Sequence, residues 1–145
     1  ALFLIDNETG EILEVNTAAG ILYGYPRELL VGMNHTQLSA EPSETRNAAL
    51  TGLTEIPLRW HMKQDGTVFP VEITASHIDW HGRRAHIAAI RDITERERSR
   101  VSLEESTGQL QRALDATVTA LAATIFLRLR PDHPGAAPRD GAASL

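Results

Sequence analysis

Histidines are the side chains of this 145-residue chain best suited to chemistry, because it contains no cysteine. Counting outward from a turn at His81-Gly82 places His77 opposite His86, and His35 could lie near them. A facing pair of imidazoles could bind a metal or hydrogen-bond a ligand. Spacing puts no carboxylate and no third ligand beside the pair, so we predict no metal site. A half-exposed pair that binds nothing is the alternative to ligand contact.

Two turns determine where these histidines lie. Asp65-Gly66 and His81-Gly82 both supply residues that tolerate positive φ between runs of alternating polarity, so we predict three antiparallel strands between residues 60 and 94. A two-residue loop at each turn predicts these opposed pairs: Met62 with Phe69, Trp60 with Val71, Leu58 with Ile73, Ile56 with Ala75, Asp79 with Arg84, His77 with His86, Ala75 with Ala88, and Ile73 with Ile90.

One face of this predicted sheet is nearly all apolar and would form the floor of a pocket. Small Ala75 and Ala88 lie at its centre and leave space for a small ligand. The predicted pocket residues are Ile56, Leu58, Trp60, Phe69, Val71, Ile73, Ala75, His77, His86, Ala88 and Ile90. For Trp60, core packing is the alternative to stacking on a cofactor. The opposite face would hold Arg59 paired with Glu72, and also His61, Lys63, Thr74 and Ser76.

The upstream half predicts two short strands and short helices. Apolar runs at residues 2–5 and 11–15 flank a polar turn. Asn16 is a good N-cap for a helix over residues 17–23, with Gly24 after it. Residues 26–31 form a further helical turn that begins at a proline. With Pro42 near its start, residues 45–50 along it and Gly52 after it, one short helix is predicted to cover the apolar face of the sheet.

Several segments, in this order, resemble the PAS family of sensory domains. The C-terminal ones are KQDGT at 63–67, FPVEI at 69–73 and RDITE at 91–95, and the N-terminal ones lie at 5–6, 10–12, 15–19 and 24–32. The resemblance implies an α+β PAS fold over residues 1–96, with a five-stranded antiparallel sheet and short helices on one face. It also implies that residues 33–54 wall a ligand pocket.

The resemblance narrows the choice of cofactor without identifying one. Gly32-Met33-Asn34-His35 stands where flavin-binding photosensors have Gly-x-Asn-Cys, so cysteinyl-flavin chemistry is excluded, although non-covalent flavin is not. Haem-binding oxygen sensors carry a histidine on the helix after a Glu-Pro pair. Asn47 lies near that place here, so haem is not expected.

The residues after the sheet predict a second kind of element, an amphipathic helix over residues 97–127. A charge run at 95–100 precedes an apolar stripe formed by Leu103, Leu110, Leu114, Val118, Leu121 and Ile125. A parallel coiled coil would bury this stripe, so we expect a homodimer. In the PAS family such a helix carries the signal to an output domain, and Asp92, Ile93 and Thr94 would couple it to the sheet.

The identity of the output domain is indicated by residues 114–125, which resemble the helix that leads into HD-GYP domains. Those domains are metal-dependent cyclic di-GMP phosphodiesterases, but this chain has no His-Asp pair, and its one Gly-Tyr-Pro, at residues 24–26, lies far upstream of this helix. Residues 128–145 are rich in Pro, Ala, Gly, Arg and Asp, so we expect a disordered tail. Replacement of the effector by a frame change or truncation is our hypothesis for this tail.

Composition excludes several function classes. A net charge of -5 predicts no nucleic-acid partner. We find no run of 18 apolar residues and no signal peptide, so we expect a cytoplasmic segment of a longer protein without membrane contact. Nucleotide-binding, hydrolase and zinc-protease motifs are absent, so we expect no enzyme.

Two functional hypotheses remain. The first is a sensory and dimerisation module of a two-component or cyclic-nucleotide signalling protein that binds an unidentified small molecule over the sheet. The alternative is a ligand-free PAS interaction domain, which is favoured by the many bulky apolar residues predicted on the sheet.

Overall fold

An antiparallel sheet forms the centre of the computed structural model, which describes residues 1–129. Its five strands are β1 Leu2–Asp6, β2 Ile12–Val15, β3 Glu55–Met62, β4 Val68–Trp80 and β5 Arg83–Asp92. They lie in the order β2-β1-β5-β4-β3, and every neighbouring pair is antiparallel. The predicted α+β class and five-stranded sheet are therefore confirmed.

Short helices connect β2 to β3. They are α1 Thr17–Tyr23, α2 Arg27–Leu30, a 3₁₀ helix His35–Leu38 and α3 Pro42–Thr51. Helix α1 has the predicted bounds, because the Asn16 side chain accepts from the Ala19 amide at 3.1 Å and Gly24 closes the helix at φ 75°. Helix α3 starts near Pro42 and ends before Gly52, as predicted, with Pro42 in its first turn.

The core lies between these helices and one face of the sheet. Its most completely buried side chains are Tyr23, Phe3, Ile12, Leu30, Leu38 and Val71. The Tyr23 ring makes edge contacts with Phe3 at 5.4 Å and Phe69 at 5.5 Å between centroids. Such aromatic contacts stabilise beyond the area that they bury, so Tyr23 anchors α1 to the sheet.

The hairpin between β4 and β5 has the predicted register. His81 and Gly82 have φ values of 51° and 77°, which is the backbone twist that a two-residue hairpin loop requires. Asp79 lies opposite Arg84, His77 opposite His86, Ala75 opposite Ala88 and Ile73 opposite Ile90, as expected.

The hairpin between β3 and β4 differs from the prediction by one residue. Met62 lies opposite Val68 instead of Phe69, because the loop runs from residue 63 to 67. Within it, the Lys63 amide donates to the Thr67 carbonyl at 2.9 Å. The Gln64 amide donates to the Tyr23 carbonyl at 2.9 Å, so a contact with α1 holds the longer loop.

Because side chains alternate along a strand, this one-residue shift places the side chains of β3 on the opposite face of the sheet from the one predicted. The predictions that Leu58 and Trp60 face the pocket are wrong, since their side chains are 42% and 40% exposed. The prediction that His61 faces outward is also wrong, since it is only 3% exposed. A register irregularity between Ile56 and Arg59 returns Ile56 to the inner face.

The predicted pair of Arg59 with Glu72 is also absent. Arg59 lies opposite Val71 and near Glu41, with 3.9 Å between the guanidinium and the carboxylate. Glu72 instead pairs with Arg91 on β5 and with Arg96.

A long C-terminal helix, α4 Thr94–Arg128, follows the sheet as predicted. The chain divides after Val101 into two compact units, so most of α4 belongs to the second. The apolar stripe on α4 is exposed, with Leu110 at 66% and Leu121 at 58%. The proposed disordered tail lies outside the described residues apart from Arg128, which ends the helix, and Leu129.

Helix α4 is also long and apolar enough to cross a membrane by length and mean hydropathy, which reaches 1.2 over 18 residues. One such helix is weak evidence for a membrane span. The expectation of no membrane contact therefore stays a prediction.

Candidate functional site

A cavity of about 60 Å³ lies between the inner face of the sheet and α3. Its sheet side is formed by Phe3, Ile5, Ile56, His61, Ile73, Ala75, His86, Ala88 and Ile90. Its other side is formed by His35 and Leu38 of the 3₁₀ helix, by Thr45, Ala48 and Ala49 of α3, and by Leu53. The walls are thus mostly apolar, with three imidazoles among them.

The predicted pocket residues divide into three groups. Ile56, Ile73, Ala75, His86, Ala88 and Ile90 line the cavity. Phe69 and Val71 are buried in the adjoining core, and His77 is exposed beside a wider surface cleft. Leu58 and Trp60 lie on the other face. Ligand binding by the first group stays a prediction.

His35 is held by the turn before β2. Its Nδ1 lies 2.9 Å from the Gly10 carbonyl oxygen, while its Nε2 is buried without a hydrogen-bond partner in residues 1–129. Gly10 has φ 75°, and a Cβ there would approach the His35 ring to 3.0 Å, so only glycine suits this contact. Burial lowers the pKa of His35, which favours the neutral ring.

His61 forms the second polar part of the wall. Its Nδ1 lies 2.6 Å from the Tyr23 hydroxyl, and its Nε2 is buried with no partner in the described part of the chain. Burial, with smaller contributions from the charges of Arg59 and His35, lowers the pKa of His61 to about 4. Burial also raises the pKa of Tyr23, so both side chains are neutral at pH 7.

His86 connects the cavity to the surface. Its Nδ1 donates to the Asn7 side-chain oxygen at 2.6 Å, and the Asn7 amide nitrogen lies 3.3 Å from Nδ1 of the exposed His77. Burial lowers the pKa of His86 to about 4, with further contributions from His35 and His77. The predicted His77–His86 pair is thus bridged by an amide, with ring centroids 5.7 Å apart.

Comparison with known proteins shows which family this chain belongs to. The family model described as PAS domain matches residues 1–95. The chain belongs to the PAS domain family. Solved PAS structures agree on the fold: one from a two-component sensor histidine kinase has a TM-score of 0.57 at 22% identity, covering 63% of this chain and 83% of that one. An RNA-binding light-oxygen-voltage receptor has a TM-score of 0.62 at 24% identity, and the match covers 74% of this chain and 33% of the receptor chain.

Two relatives share more sequence with this PAS domain. An uncharacterized protein of Azorhizobium caulinodans is 33% identical over 112 residues, and two-component system protein A of Emericella nidulans is 29% identical over 105. The matches cover 70% and 66% of this chain. They span only 15% of each relative's length. PAS domains are sensory, non-catalytic modules of signal transduction proteins, which is the function class that the comparisons support.

Large PAS cofactors do not fit the cavity. The cavity volume of about 60 Å³ is well below the roughly 300–1,000 Å³ that pockets for drug-sized ligands have. The cavity therefore accommodates neither flavin nor haem. Asn47, at the place of the haem-ligating histidine, is exposed. No group of three His, Cys, Asp or Glu side chains within residues 1–129 is positioned to hold a metal ion.

The segment after the cavity begins α4. Ile90 lines the cavity, and Ile93 is only 3% exposed. The Asp92 carboxylate accepts from the Thr94 amide at 2.8 Å and from the Thr94 hydroxyl at 2.5 Å. Glu72 accepts from Arg91 on β5 and from Arg96 on α4, so it ties the sheet to the first turn of this helix.

Sequence reasoning missed His61, Tyr23 and Thr45 as parts of the site. Thr45 on α3 shares a 2.7 Å hydrogen bond with Ser39 while lining the cavity. A usable signal for His61 was Pro57, because a proline inside a strand indicates an edge strand or a bulge. A bulge there would have allowed Ile56 and His61 to share one face.

Proposed function

We propose that this PAS domain is the sensory and dimerisation module of a bacterial-type signal transduction protein. It binds a small molecule in the cavity and relays its state through α4 to an output domain. The observation that carries this proposal is the cavity together with the unpartnered Nε2 atoms of His35 and His61, two residues that line it. Buried polar atoms normally have a partner, so these atoms favour a bound polar molecule.

The relay begins at Ile90, which forms part of the cavity wall. A ligand that prefers one position of this strand end would shift the populations of two arrangements at Asp92, Ile93 and Thr94. The capped start of α4 and the contacts of Glu72 would transmit that shift to the helix.

The output domain that we propose is a cyclic di-GMP phosphodiesterase of the HD-GYP class or another two-component or cyclic-nucleotide effector. Support comes from the resemblance of residues 114–125 to the HD-GYP lead-in helix and from the relative named two-component system protein A. Any catalysis would then belong to the effector. We place the module in the cytoplasm, paired with a second copy through α4.

Native mass spectrometry and an ultraviolet-visible spectrum of freshly purified protein test the proposal. We expect a discrete mass excess that is lost in the double variant Ala75→Leu/Ala88→Leu, because leucines would fill the cavity. Ala89→Leu is the matched control, since Ala89 is exposed next to Ala88. A bare mass for the wild type, with no small molecule bound at millimolar concentration in a ligand screen, would overturn the proposal.

The alternative function is a ligand-free interaction domain. The specific observation in its favour is the small cavity volume, since Phe69, Val71 and Tyr23 fill the adjoining core. On this alternative, the alanine-to-leucine variants would keep the association state of the wild type and no ligand would be found.

A further inference from the structure

Two buried imidazole nitrogens without a partner belong to residues that line the cavity, and they indicate the chemistry of its occupant. A buried nitrogen without a hydrogen-bond partner is costly, and native proteins contain few of them. Both His35 and His61 have this feature within the described residues, and both line the same cavity. The side chain of His61 is 3% exposed, so bulk water does not satisfy it.

The unpartnered ring nitrogen of His35 is a hydrogen-bond acceptor. Its Nδ1 lies 2.9 Å from the Gly10 carbonyl oxygen, which can only accept. The proton of the neutral ring is therefore on Nδ1, and Nε2 carries a lone pair.

The unpartnered ring nitrogen of His61 is a hydrogen-bond donor. The hydroxyl of Tyr23 is buried, and its one hydrogen bond within residues 1–129 is the 2.6 Å contact with His61 Nδ1. Donation from Tyr23 to Nδ1 satisfies the phenolic proton, whereas the reverse direction would leave that proton unpaired. The ring proton of His61 is therefore on Nε2.

The rest of the wall disfavours ions. The remaining sheet residues are apolar except for His86, whose burial favours its neutral form. The charge of Arg59 contributes to the lowered pKa of His61, but Arg59 does not line the cavity. Its guanidinium lies 3.9 Å from the Glu41 carboxylate. An ion without a counter-charge in such a cavity would be strongly disfavoured.

We propose that the cavity selects a small uncharged molecule, of about two to four heavy atoms, that donates a hydrogen bond to His35 Nε2 and accepts one from His61 Nε2. The size follows from a cavity of about 60 Å³, which has room for about two to four water molecules. Small alcohols and amides have this chemistry. The inference rests on the proposed function and names the ligand class for the same site.

The tautomers provide the first test, because they are read in the wild-type protein without any substitution. Long-range ¹H–¹⁵N correlation spectra should show the proton on Nδ1 of His35 and on Nε2 of His61. A proton on Nδ1 of His61 would overturn the inference.

The second test is an NMR titration with probes of similar size: ethanol and acetamide as neutral donors and acceptors, acetate and methylammonium as ions, and xenon as an apolar probe. We expect saturable shifts of both imidazoles with ethanol or acetamide, at least about tenfold tighter than with the other probes. His61→Phe should lose about tenfold in affinity, which corresponds to one hydrogen bond. His81→Asn, at an exposed turn, is the matched control.

The outcomes separate this inference from the proposed function. Tighter binding of acetate, methylammonium or xenon, or a larger molecule seen by native mass spectrometry, would overturn the ligand class while the sensory function stands. Failure of every probe, together with a bare native mass, would overturn both.

Discussion

Tyr23 and His61 satisfy each other inside the core, one from α1 and the other from β3. Tyr23→Phe removes the only hydrogen bond recorded for His61 Nδ1 in residues 1–129 and leaves that nitrogen buried and unpaired. We expect the free energy of unfolding to fall by about 1–3 kcal/mol, measured by urea denaturation. Tyr25→Phe is the control, because Tyr25 is only partly buried against the core. An equal loss in both variants would contradict the role of this hydrogen bond.

Acid should destabilise the domain through its buried imidazoles. The pKa of His61 falls from 6.5 to about 4 on folding. Between those values the unfolded state binds more protons, so the free energy of unfolding decreases as pH falls through this window and is unaffected by His61 above it. The full effect of His61 is roughly 3 kcal/mol.

The measurement is urea denaturation at several pH values between 7 and 4. His86, whose pKa is also lowered to about 4, should add to the same slope. Replacing His61 with Phe should reduce the pH dependence, and His81→Asn should leave it intact. A stability that is constant from pH 7 to pH 4.5 would refute the prediction.

Among the secondary-structure elements, β5 and α4 meet at a junction that the Asp92 carboxylate caps. Asp92 accepts from the amide and the hydroxyl of Thr94, which is the first residue of α4. Asp92→Ala should reduce the free energy of unfolding by about 1 kcal/mol and increase hydrogen exchange of the first-turn amides. Glu105→Ala, at an exposed position further along α4, is the control and should change neither. Unchanged exchange at the first turn would argue against the cap.

At the scale of the whole molecule, α4 exposes apolar side chains that a second copy could cover. Leu114 and Leu121 are 60% and 58% exposed. We expect Leu114→Lys/Leu121→Lys to weaken the dimer at least tenfold in analytical ultracentrifugation, because lysine at a coiled-coil seam disfavours association. Ala116→Lys/Ala123→Lys adds the same charges about 200° round the helix, so it should leave association unchanged.

The result also addresses the membrane alternative for α4. A wild-type chain that is monomeric and binds lipid vesicles would contradict the coiled coil. It would indicate instead that the apolar stretch of this helix enters a bilayer.

Local sequence determined much of this fold. The bounds of α1 follow from two residues at its ends. The Asn16 side chain accepts a hydrogen bond from the first turn, and Gly24 ends the helix in the left-handed conformation. The β4–β5 register follows in the same way from His81-Gly82, because a two-residue loop determines every opposed pair beyond it. Family membership was likewise recognisable from short segments in order along the chain.

Contacts between distant parts of the chain determine which residues form the site. The β3–β4 loop has five residues, 63–67, and the Gln64 amide in it is bonded to Tyr23, a residue about forty positions away that no local pattern could reveal. That contact determines which face of β3 points inward, and so it brings His61 to the cavity and turns Trp60 away from it. The size of the cavity depends in turn on how α3 packs over the four strands that line it, because a void is a property of packing among distant elements.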